Sequence, residues 1–276
     1  MKTSKNSSPI VDRRGKIVDG DSRAYWNALA EKYFRITRIT CADFHYGPQI
    51  PGEKTLRILP QLPDGASALE LGCGGAQNSV WLAKRGLRCD AFDISDGQLA
   101  QARIIAARNK VGIGFFRASL SDFRASLASG KKYDLLHSSH AMEFAADPGA
   151  VLRDMAALMK PRAWLILSTV HPLFNGEWIE YAEDDDGNKM PGGLFLENYF
   201  SPPDDVRDEF GEHIVSRAHP VAAWFAWFKA AGLSVEDLRE PSAVKSAPYT
   251  SADWAEAAAG HLSAIPSTII FACRKR

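Results

Sequence analysis

Short apolar segments alternate along the chain with longer amphipathic ones. Short apolar runs are typical of strands that are buried on both faces, whereas apolar positions three and four residues apart are typical of helices that pack on a sheet. Strands are predicted at 67–71, 88–92, 113–117, 133–138, 163–169, 233–239 and 267–273. Helices are predicted at 76–85, 96–109, 148–159 and 220–231. The pattern predicts an α/β fold with a mostly parallel, seven-stranded sheet that binds its ligand at the carboxyl ends of the strands.

The segment before the first of these strands has a helical pattern of its own. Apolar residues recur at helical spacing from Asp21 to Ile39, and a second short helix is predicted from Gly52 to Leu59. Asp21 or Ser22 is also a favourable residue for the start of this helix. Residues 21–60 are therefore expected to form a helical lid over the domain.

A second unusual segment follows the fifth predicted strand. Residues 172–218 are too many for a simple connection, and they carry an acidic turn at 183–187 between aromatic stretches. This arrangement favours an inserted cap that contains a hairpin. Residues 1–20 are rich in Lys, Ser and Asp and are predicted to be a flexible arm. The folded domain is thus expected to extend over 21–276.

Composition narrows the function classes. The 276 residues are 46% hydrophobic, which is enough for one large domain, and 33 basic residues balance 33 acidic ones. A formal net charge of zero gives no electrostatic footprint for nucleic acid. No apolar run is long enough to span a membrane, and residues 1–20 lack the apolar core of a signal peptide, so a cytoplasmic location is expected. The four cysteines are scattered without a CxxC spacing, so neither a disulfide framework nor a metal site is predicted.

Candidate chemistry begins where the first strand of the sheet ends. Glu70 lies near the end of this strand, and Gly72, Cys73 and Gly74 follow in a glycine turn. Glycine lets the backbone bend sharply and approach a ligand closely, and the following helix would direct its N-terminus at that ligand. About 20 residues further on, the next strand ends in Asp93, whose carboxylate could hold the hydroxyls of a ribose. The glycine turn and the carboxylates of Glu70 and Asp93 together predict a binding site for a nucleotide-type cofactor.

Two cofactor classes share this plan, and the spacing of glycines separates them. A dinucleotide site requires a third glycine at the position of Gln77. The spacing Glu70-x-Gly72-x-Gly74-x-Ala76 instead resembles motif I of the class I S-adenosylmethionine-dependent methyltransferases, with Ala76 in place of the last glycine. The order of features over residues 65–172 is similar to the small-molecule members of that family. The resemblance implies a Rossmann-like fold, S-adenosylmethionine as cofactor and S-adenosylhomocysteine as product.

The resemblance also implies further cofactor contacts. Asp93-Ile94-Ser95 resembles the family motif that binds the ribose and packs on the adenine, and the segment after the third strand resembles the one that places an acid against the adenine amino group. His45-Tyr46-Gly47-Pro48 is similar to a segment in which an aromatic residue closes over the donor. The cofactor residues predicted in addition to those of the turn and Asp93 are Tyr46, Ile94, Gln98, Leu120, Ser121, Asp122 and Ser138.

Two histidines are the candidates for catalysis. His140 and His171 follow the fourth and fifth strands of the predicted sheet, at the edge where an acceptor would lie, and histidine titrates in the range that suits a general base. The main hypothesis is methyl transfer to O, N or C of a small metabolite. There are two alternatives: an RNA or protein methyltransferase, and a regulator that binds S-adenosylmethionine without activity. The first is less favoured, because Ser138-Ser139-His140-Ala141 lacks the Asn/Asp-Pro-Pro-aromatic motif of many base and glutamine methylases. The oligomeric state stays open.

Overall fold

A computed structural model describes residues 21–252 and 263–276 of the chain, so the predicted arm at 1–20 lies outside the described residues. Its helices are, in chain order, α1 (Ser22–Ile36), α2 (Glu53–Leu56), α3 (Gln77–Ala83), α4 (Asp96–Arg108), α5 (Pro148–Leu158) and α6 (Val221–Ala230). Its strands are β1 (Thr37–Ile39), β2 (Ser67–Leu71), β3 (Arg88–Asp93), β4 (Ile113–Arg117), β5 (Tyr133–Ser139), β6 (Met159–Val170), β7 (Glu177–Glu183), β8 (Lys189–Phe195), β9 (Asp205–Glu209), β10 (Glu212–Ser216), β11 (Leu233–Arg239), β12 (Tyr249–Ser251) and β13 (Thr268–Lys275).

The central sheet confirms the predicted fold class. Its seven strands lie in the order β11-β13-β6-β5-β2-β3-β4. The pairs from β6 to β4 are parallel, and β13 is antiparallel to both of its neighbours. Each of the seven predicted strands has its counterpart in this sheet. The parallel strands all end at the same edge, and the ligand site is expected there.

Large apolar side chains cover the sheet and hold its helices in place. Trp224 and Phe228 of α6 are completely buried together with Phe271 of β13, so these two positions of α6 belong to the core, whereas Phe225 is exposed. A separate cluster includes Phe44 and Trp81. Each of these aromatic side chains removes a large apolar area from water, so their burial contributes strongly to the stability of the core.

The predicted lid differs from the structure in the lengths of its helices. Helix α1 ends at Ile36 rather than Ile39, because 37–39 pairs antiparallel with 249–251 to form the β1–β12 sheet. Pairing with a segment so distant in sequence outweighs the local helical pattern. Helix α2 is also shorter than predicted, since the chain turns into a left-handed conformation at Arg57 (φ 52°).

The segment after β6 contains two hairpins. Strands β7 and β8 pair around the acidic turn, where the Asp184 side chain accepts hydrogen bonds from the backbone N–H groups of Asp186 and Asn188. Strands β9 and β10 form the second hairpin, and α1 contacts both of them. In the described part of the chain, no helix combines the length and apolar character that crossing a membrane requires.

Candidate active site

A cavity of about 1240 Å³ lies at the carboxyl ends of the parallel strands. Helix α1 forms one wall with Tyr25, Trp26 and Tyr33, while the turn after β2 and the loops after β3, β4 and β5 form its base. The second hairpin adds residues of 203–208. Because a single drug-sized ligand typically occupies about 300–1,000 Å³, the cavity is large enough for more than one ligand.

The glycine turn has the backbone geometry that the sequence predicts. Gly72 and Gly74 have φ values of 64° and 50°, which side chains other than glycine rarely adopt. A β-carbon on Gly72 would also lie 2.4 Å from the Cβ of Ala141, in the loop after β5. The turn is therefore packed closely against that loop and requires glycine for two separate reasons. Cys73 lies between the two glycines and lines the cavity.

Asp93 is held at the edge of the cavity by backbone donors. Its Oδ2 accepts a hydrogen bond from the Gly74 N–H at 2.8 Å, and its Oδ1 accepts one from the Ser95 N–H at 2.9 Å. Burial raises the pKa of Asp93, while these backbone hydrogen bonds oppose the rise. The carboxylate is thus fixed between the turn and the start of α4, and its remaining lone pairs can accept ribose hydroxyls.

The structure brings most of the predicted cofactor residues to this cavity. Glu70, Gly72, Cys73, Gly74, Asp93, Ile94, Gln98, Leu120 and Ser121 all line it. The Gln98 side chain is buried, and its Oε1 has no hydrogen-bond partner, so it is an acceptor that a bound ligand can satisfy. These features fit a nucleoside cofactor: the glycine turn, the Asp93 carboxylate that can hold a ribose, and the unsatisfied Oε1 of Gln98.

Glu70 lies under the turn as a neutral group. Its Oε2 accepts hydrogen bonds from the Ser79 N–H (3.1 Å) and hydroxyl (2.5 Å), but burial dominates and raises the pKa of Glu70 to about 8. His137 lies 3.9 Å away, and burial, with a smaller effect of His45, lowers the pKa of His137 to about 3. Both groups are uncharged near neutral pH, so they do not form an ion pair.

The Tyr46 ring, which the sequence predicts to close over the donor, lies away from the cavity wall. The ring is buried in the cluster with Phe44 and Trp81 and does not line the cavity. Its hydroxyl donates to Glu53 Oε2 at 2.5 Å, and this bond to a partly buried carboxylate helps to fix the position of the ring. The aromatic residues that do line the cavity wall come from α1.

Two other predicted residues lie outside the cavity wall. Asp122 Oδ1 accepts hydrogen bonds from the Ser119 N–H and hydroxyl, both at 2.8 Å, so the carboxylate closes its own loop. The Ser138 hydroxyl donates to the Leu71 carbonyl at 3.1 Å and joins β5 to β2. Neither residue lines the cavity, so the structure does not bring them together with the other predicted contacts.

His140 lines the cavity, but both of its ring nitrogens have partners. Nδ1 lies 3.0 Å from Glu143 Oε1, and Nε2 lies 3.0 Å from Thr268 Oγ1. Burial favours a raised pKa for Glu143, but the charge of His140, the hydrogen bonds and Arg207 outweigh burial and lower the pKa. Glu143 Oε1 is therefore the partner of Nδ1 and the Thr268 hydroxyl is the partner of Nε2.

His171 is held by a different set of contacts and lies outside the cavity wall. Its Nδ1 accepts a hydrogen bond from the Leu173 N–H at 3.1 Å, and Nε2 donates to Glu240 Oε1 at 2.8 Å. Burial lowers the pKa of His171, while Glu240 opposes the shift. The ring joins the end of β6 to the chain after β11, and the role of His171 as a general base stays a prediction.

Several cavity residues were not found from the sequence. Glu143 is three residues after His140 on a short 3-10 turn, a spacing that would have suggested the pair. The hydroxyl groups of Tyr33 and Tyr249 meet at 2.6 Å across 216 positions of sequence, and Arg207 reaches the cavity from β9. No local pattern predicts these contacts. No group of three potential metal ligands occurs within 21–252 and 263–276.

Comparison with known proteins agrees with this geometry. The model of the family described as "Methyltransferase domain" matches residues 44–238. A ubiquinone biosynthesis O-methyltransferase of Marinobacter nauticus is 25% identical over 149 residues, which cover 52% of this chain and 61% of the relative. One of Xanthomonas axonopodis is 31% identical over 109 residues, which cover 40% of this chain and 45% of the relative. The chain thus spans only about half the length of these relatives.

Solved structures share the fold at low identity. An S-adenosylmethionine dependent methyltransferase from Mesorhizobium loti superposes with a TM-score of 0.60 at 22% identity, over 79% of this chain and 94% of that one. The CcbJ methyltransferase from Streptomyces caelestis does so with a TM-score of 0.59 at 14% identity, over 92% and 99% of the two chains. The family model matches most of the central sheet, and the glycine turn lies beside Asp93 as that family requires. The chain therefore belongs to the class I S-adenosylmethionine-dependent methyltransferase family.

Proposed function

We propose that this enzyme transfers the methyl group of S-adenosylmethionine to a small molecule that binds beside it in the same cavity. The proposal rests on the size and the enclosure of the cavity. Its volume of about 1240 Å³ is larger than the cofactor alone requires, and α1 and the second hairpin form its walls. Such walls suit an enclosed small acceptor. They suit a nucleic-acid strand or a protein segment less well.

The residues that would hold the cofactor are those that line the cavity around the turn. Asp93 would accept the ribose hydroxyls, and Gly72 and Gly74 would let the backbone approach the ligand closely. Ile94, Leu120 and Ser121 line the same cavity and would form its wall on the adenine side. When bound, the cofactor supplies an already activated methyl group, so the protein has to align the acceptor and exclude water.

Proton removal is the less demanding part of this mechanism. Both ring nitrogens of His140 have partners, so the ring can take part in proton transfer only after its contact with Thr268 or Glu143 opens. An acceptor that is already a free amine, a thiolate or a phenolate needs no such step. The proposed mechanism therefore relies first on positioning, with His140 and Glu143 shaping the wall where the acceptor binds.

The comparisons favour a small acceptor and leave its reacting atom among O, N and C. The curated relatives are named for O-methyl transfer in ubiquinone biosynthesis, which supports an oxygen acceptor. Methylation of RNA or protein is the second enzyme hypothesis, and binding of the cofactor without turnover is the third. A panel of acceptors distinguishes the three.

The test begins with calorimetric titration of the purified enzyme with S-adenosylhomocysteine. S-adenosylmethionine is then incubated with phenols, amines, bulk RNA and protein, and formation of S-adenosylhomocysteine is measured. We expect binding of the product and turnover with small acceptors only. Turnover with RNA or protein alone, or binding without any turnover, would contradict the proposal.

Two histidine variants refine the test. His140→Ala should lower turnover because it removes a cavity side chain together with the partner of Glu143. His171→Ala should leave the kcat of the folded enzyme close to normal, since His171 is outside the cavity wall. A loss of kcat in His171→Ala alone would show that the acceptor lies elsewhere.

A further inference from the structure

The second hairpin brings one basic side chain to the cavity. Arg207 of β9 lines the wall, and among the described residues it is the only lysine or arginine that does so. It lies opposite Ile214 of β10, which is buried in a cluster with Tyr25 and Leu29 of α1. Residues that lie opposite each other in a hairpin share one of its faces. The Arg207 side chain therefore leaves the hairpin on the face that packs over α1 and the cavity.

A neighbouring carboxylate orients the guanidinium group of Arg207 and uses one of its nitrogens. Asp205 is two positions earlier on the same strand, so the two side chains share a face. The Nε of Arg207 donates a hydrogen bond to Asp205 Oδ2 at 2.7 Å. No described residue accepts a hydrogen bond from either of the terminal nitrogens. Their N–H groups are therefore available to a ligand in the cavity.

An aromatic surface adjoins this guanidinium group. The guanidinium carbon of Arg207 lies 5.7 Å from the centre of the Phe144 ring, in the turn after β5. The Phe144 ring meets the ring of Trp26 edge-to-face, with centroids 5.5 Å apart. Both aromatic residues line the cavity, and neither is fully buried by the protein. This wall thus combines a flat apolar surface with a cation at one end, and a ligand that complements it has an aromatic body and an anionic group.

Carboxylates on the same wall suggest a cationic acceptor as the alternative. Asp204, Asp205 and Asp208 line the cavity near Arg207, and Glu143 lines it from the turn after β5. Asp205 is bound to Arg207, and both oxygens of Glu143 have hydrogen-bond partners within the protein. Asp208 is exposed, where water and salt weaken its attraction for a cation. Asp204 is left as the carboxylate that would attract an amine, so the test includes amines.

We propose that the methyl acceptor is an aromatic acid whose carboxylate is bound by Arg207 and whose ring lies against Phe144 and Trp26. The inference rests on the proposed function and names the class of acceptor for the same cavity. A guanidinium group binds a carboxylate through two parallel, charge-assisted hydrogen bonds, which fix the orientation of the ligand as well as its affinity. Arg207 is thus a specificity residue that holds the acceptor at the end away from its reacting atom.

The experiment compares an acid, its amide and the corresponding amine on the same ring. Enzyme saturated with S-adenosylhomocysteine is titrated calorimetrically with para-hydroxyphenylacetate, its primary amide and tyramine, and then with indoleacetate, indoleacetamide and tryptamine. We expect the wild-type enzyme to bind the acid of at least one series about 10- to 100-fold more tightly than its amide, as for hydrogen bonds to a charged group. Arg207→Gln should remove this preference. Arg207→Lys keeps the charge without the paired donors and should retain only part of it.

Matched variants separate the charge of Arg207 from other causes. Arg239→Gln removes an arginine with the same local pairing, because its Nε donates to Asp237 Oδ2 at 2.9 Å, two positions earlier on β11. Arg239 is outside the cavity wall, so this variant should keep the wild-type preference for the acid. Phe144→Leu should weaken binding of the acid and the amide by the same factor, because both ligands share the ring that Phe144 contacts. Thermal melting of each variant shows whether it is folded.

Three results would overturn the proposal. The first is a wild-type enzyme that binds neither acid more tightly than its amide. The second is a preference for the acid that Arg207→Gln keeps, or that Arg239→Gln loses as well. The third is tighter binding of tyramine or tryptamine than of the corresponding acid, which would assign the acceptor to the amines and its recognition to Asp204. Failure of the wild-type enzyme to bind S-adenosylhomocysteine would instead reject the proposed function, whereas normal binding of it with any of the three results rejects only the class of acceptor.

Discussion

Replacing Gly72 with alanine should destabilise the protein through two separable effects. The φ value of 64° places the residue in the left-handed region, where a β-carbon costs about 1–2 kcal/mol. The added β-carbon would also lie 2.4 Å from the Cβ of Ala141, which is closer than two carbons can approach. Relieving such an overlap by moving the backbone costs about 1–3 kcal/mol. We expect the sum, a loss of about 2–5 kcal/mol in the free energy of unfolding.

Two further variants separate these effects. Gly65 has a φ of 72° but no atom within 4 Å of its added β-carbon, so Gly65→Ala should cost only the backbone part, about 1–2 kcal/mol. In the double variant Gly72→Ala with Ala141→Gly, the overlapping carbon is absent. The double variant should then regain most of the stability that Gly72→Ala loses through the steric overlap.

Urea unfolding followed by circular dichroism measures these differences, and titration with S-adenosylhomocysteine shows whether the turn still binds. Gly72→Ala should bind at least tenfold more weakly if the turn moves by the amount that the overlap requires. Equal destabilisation by Gly65→Ala and Gly72→Ala would refute the steric argument. So would a double variant that is no more stable than Gly72→Ala.

Three other results are expected. Asp93→Ala should weaken binding of S-adenosylhomocysteine at least tenfold in calorimetry, because hydrogen bonds from ribose hydroxyls to a carboxylate are worth about 1.5–3 kcal/mol each; unchanged affinity in a folded variant excludes the assignment. The raised pKa of Glu70, about 8 in the folded state, means that the folded protein binds more protons than the unfolded chain, so this group's contribution to stability falls as pH rises toward 8. Between pH 6.5 and 8 the loss should be about 1–2 kcal/mol, and Glu70→Gln, which keeps an acceptor for Ser79, should flatten the slope measured by urea unfolding at each pH. In hydrogen exchange, S-adenosylhomocysteine should protect α1 as well as the glycine turn, and protection of the turn alone would show that α1 is not part of the lid.

The sheet could be predicted because its signals are local. A parallel strand that is buried on both faces is a short apolar run, and the strand at 67–71 was predicted with the bounds that the structure shows. The glycine turn was predictable for a similar reason, since its φ values restrict the residue type. The start of β6 was not predicted. The strand begins at Met159 instead of 163, and the chain bends within it at Arg162, which has a φ of 63°.

Contacts between distant segments could not be predicted in the same way. The sequence places Tyr46 ahead of the first strand of the sheet, but the side to which its ring turns depends on Glu53 and the aromatic cluster around Phe44. The roles of His140 and His171 differ because each ring has different neighbours, which spacing does not reveal. Residue types therefore indicated the chemistry of the site, and tertiary packing decided which side chains take part.

The position of β13 has a consequence for how the protein folds as it is synthesised. The strand at 268–275 lies between β6 and β11, so the edge of β6 stays unpaired until the ribosome has made these residues. Thr268 is also the residue whose hydroxyl binds Nε2 of His140. A nascent chain that stops before residue 268 would carry an open sheet edge, which favours aggregation, and a histidine without its second partner. The candidate active site thus becomes complete only after residues from 268 onward have been made.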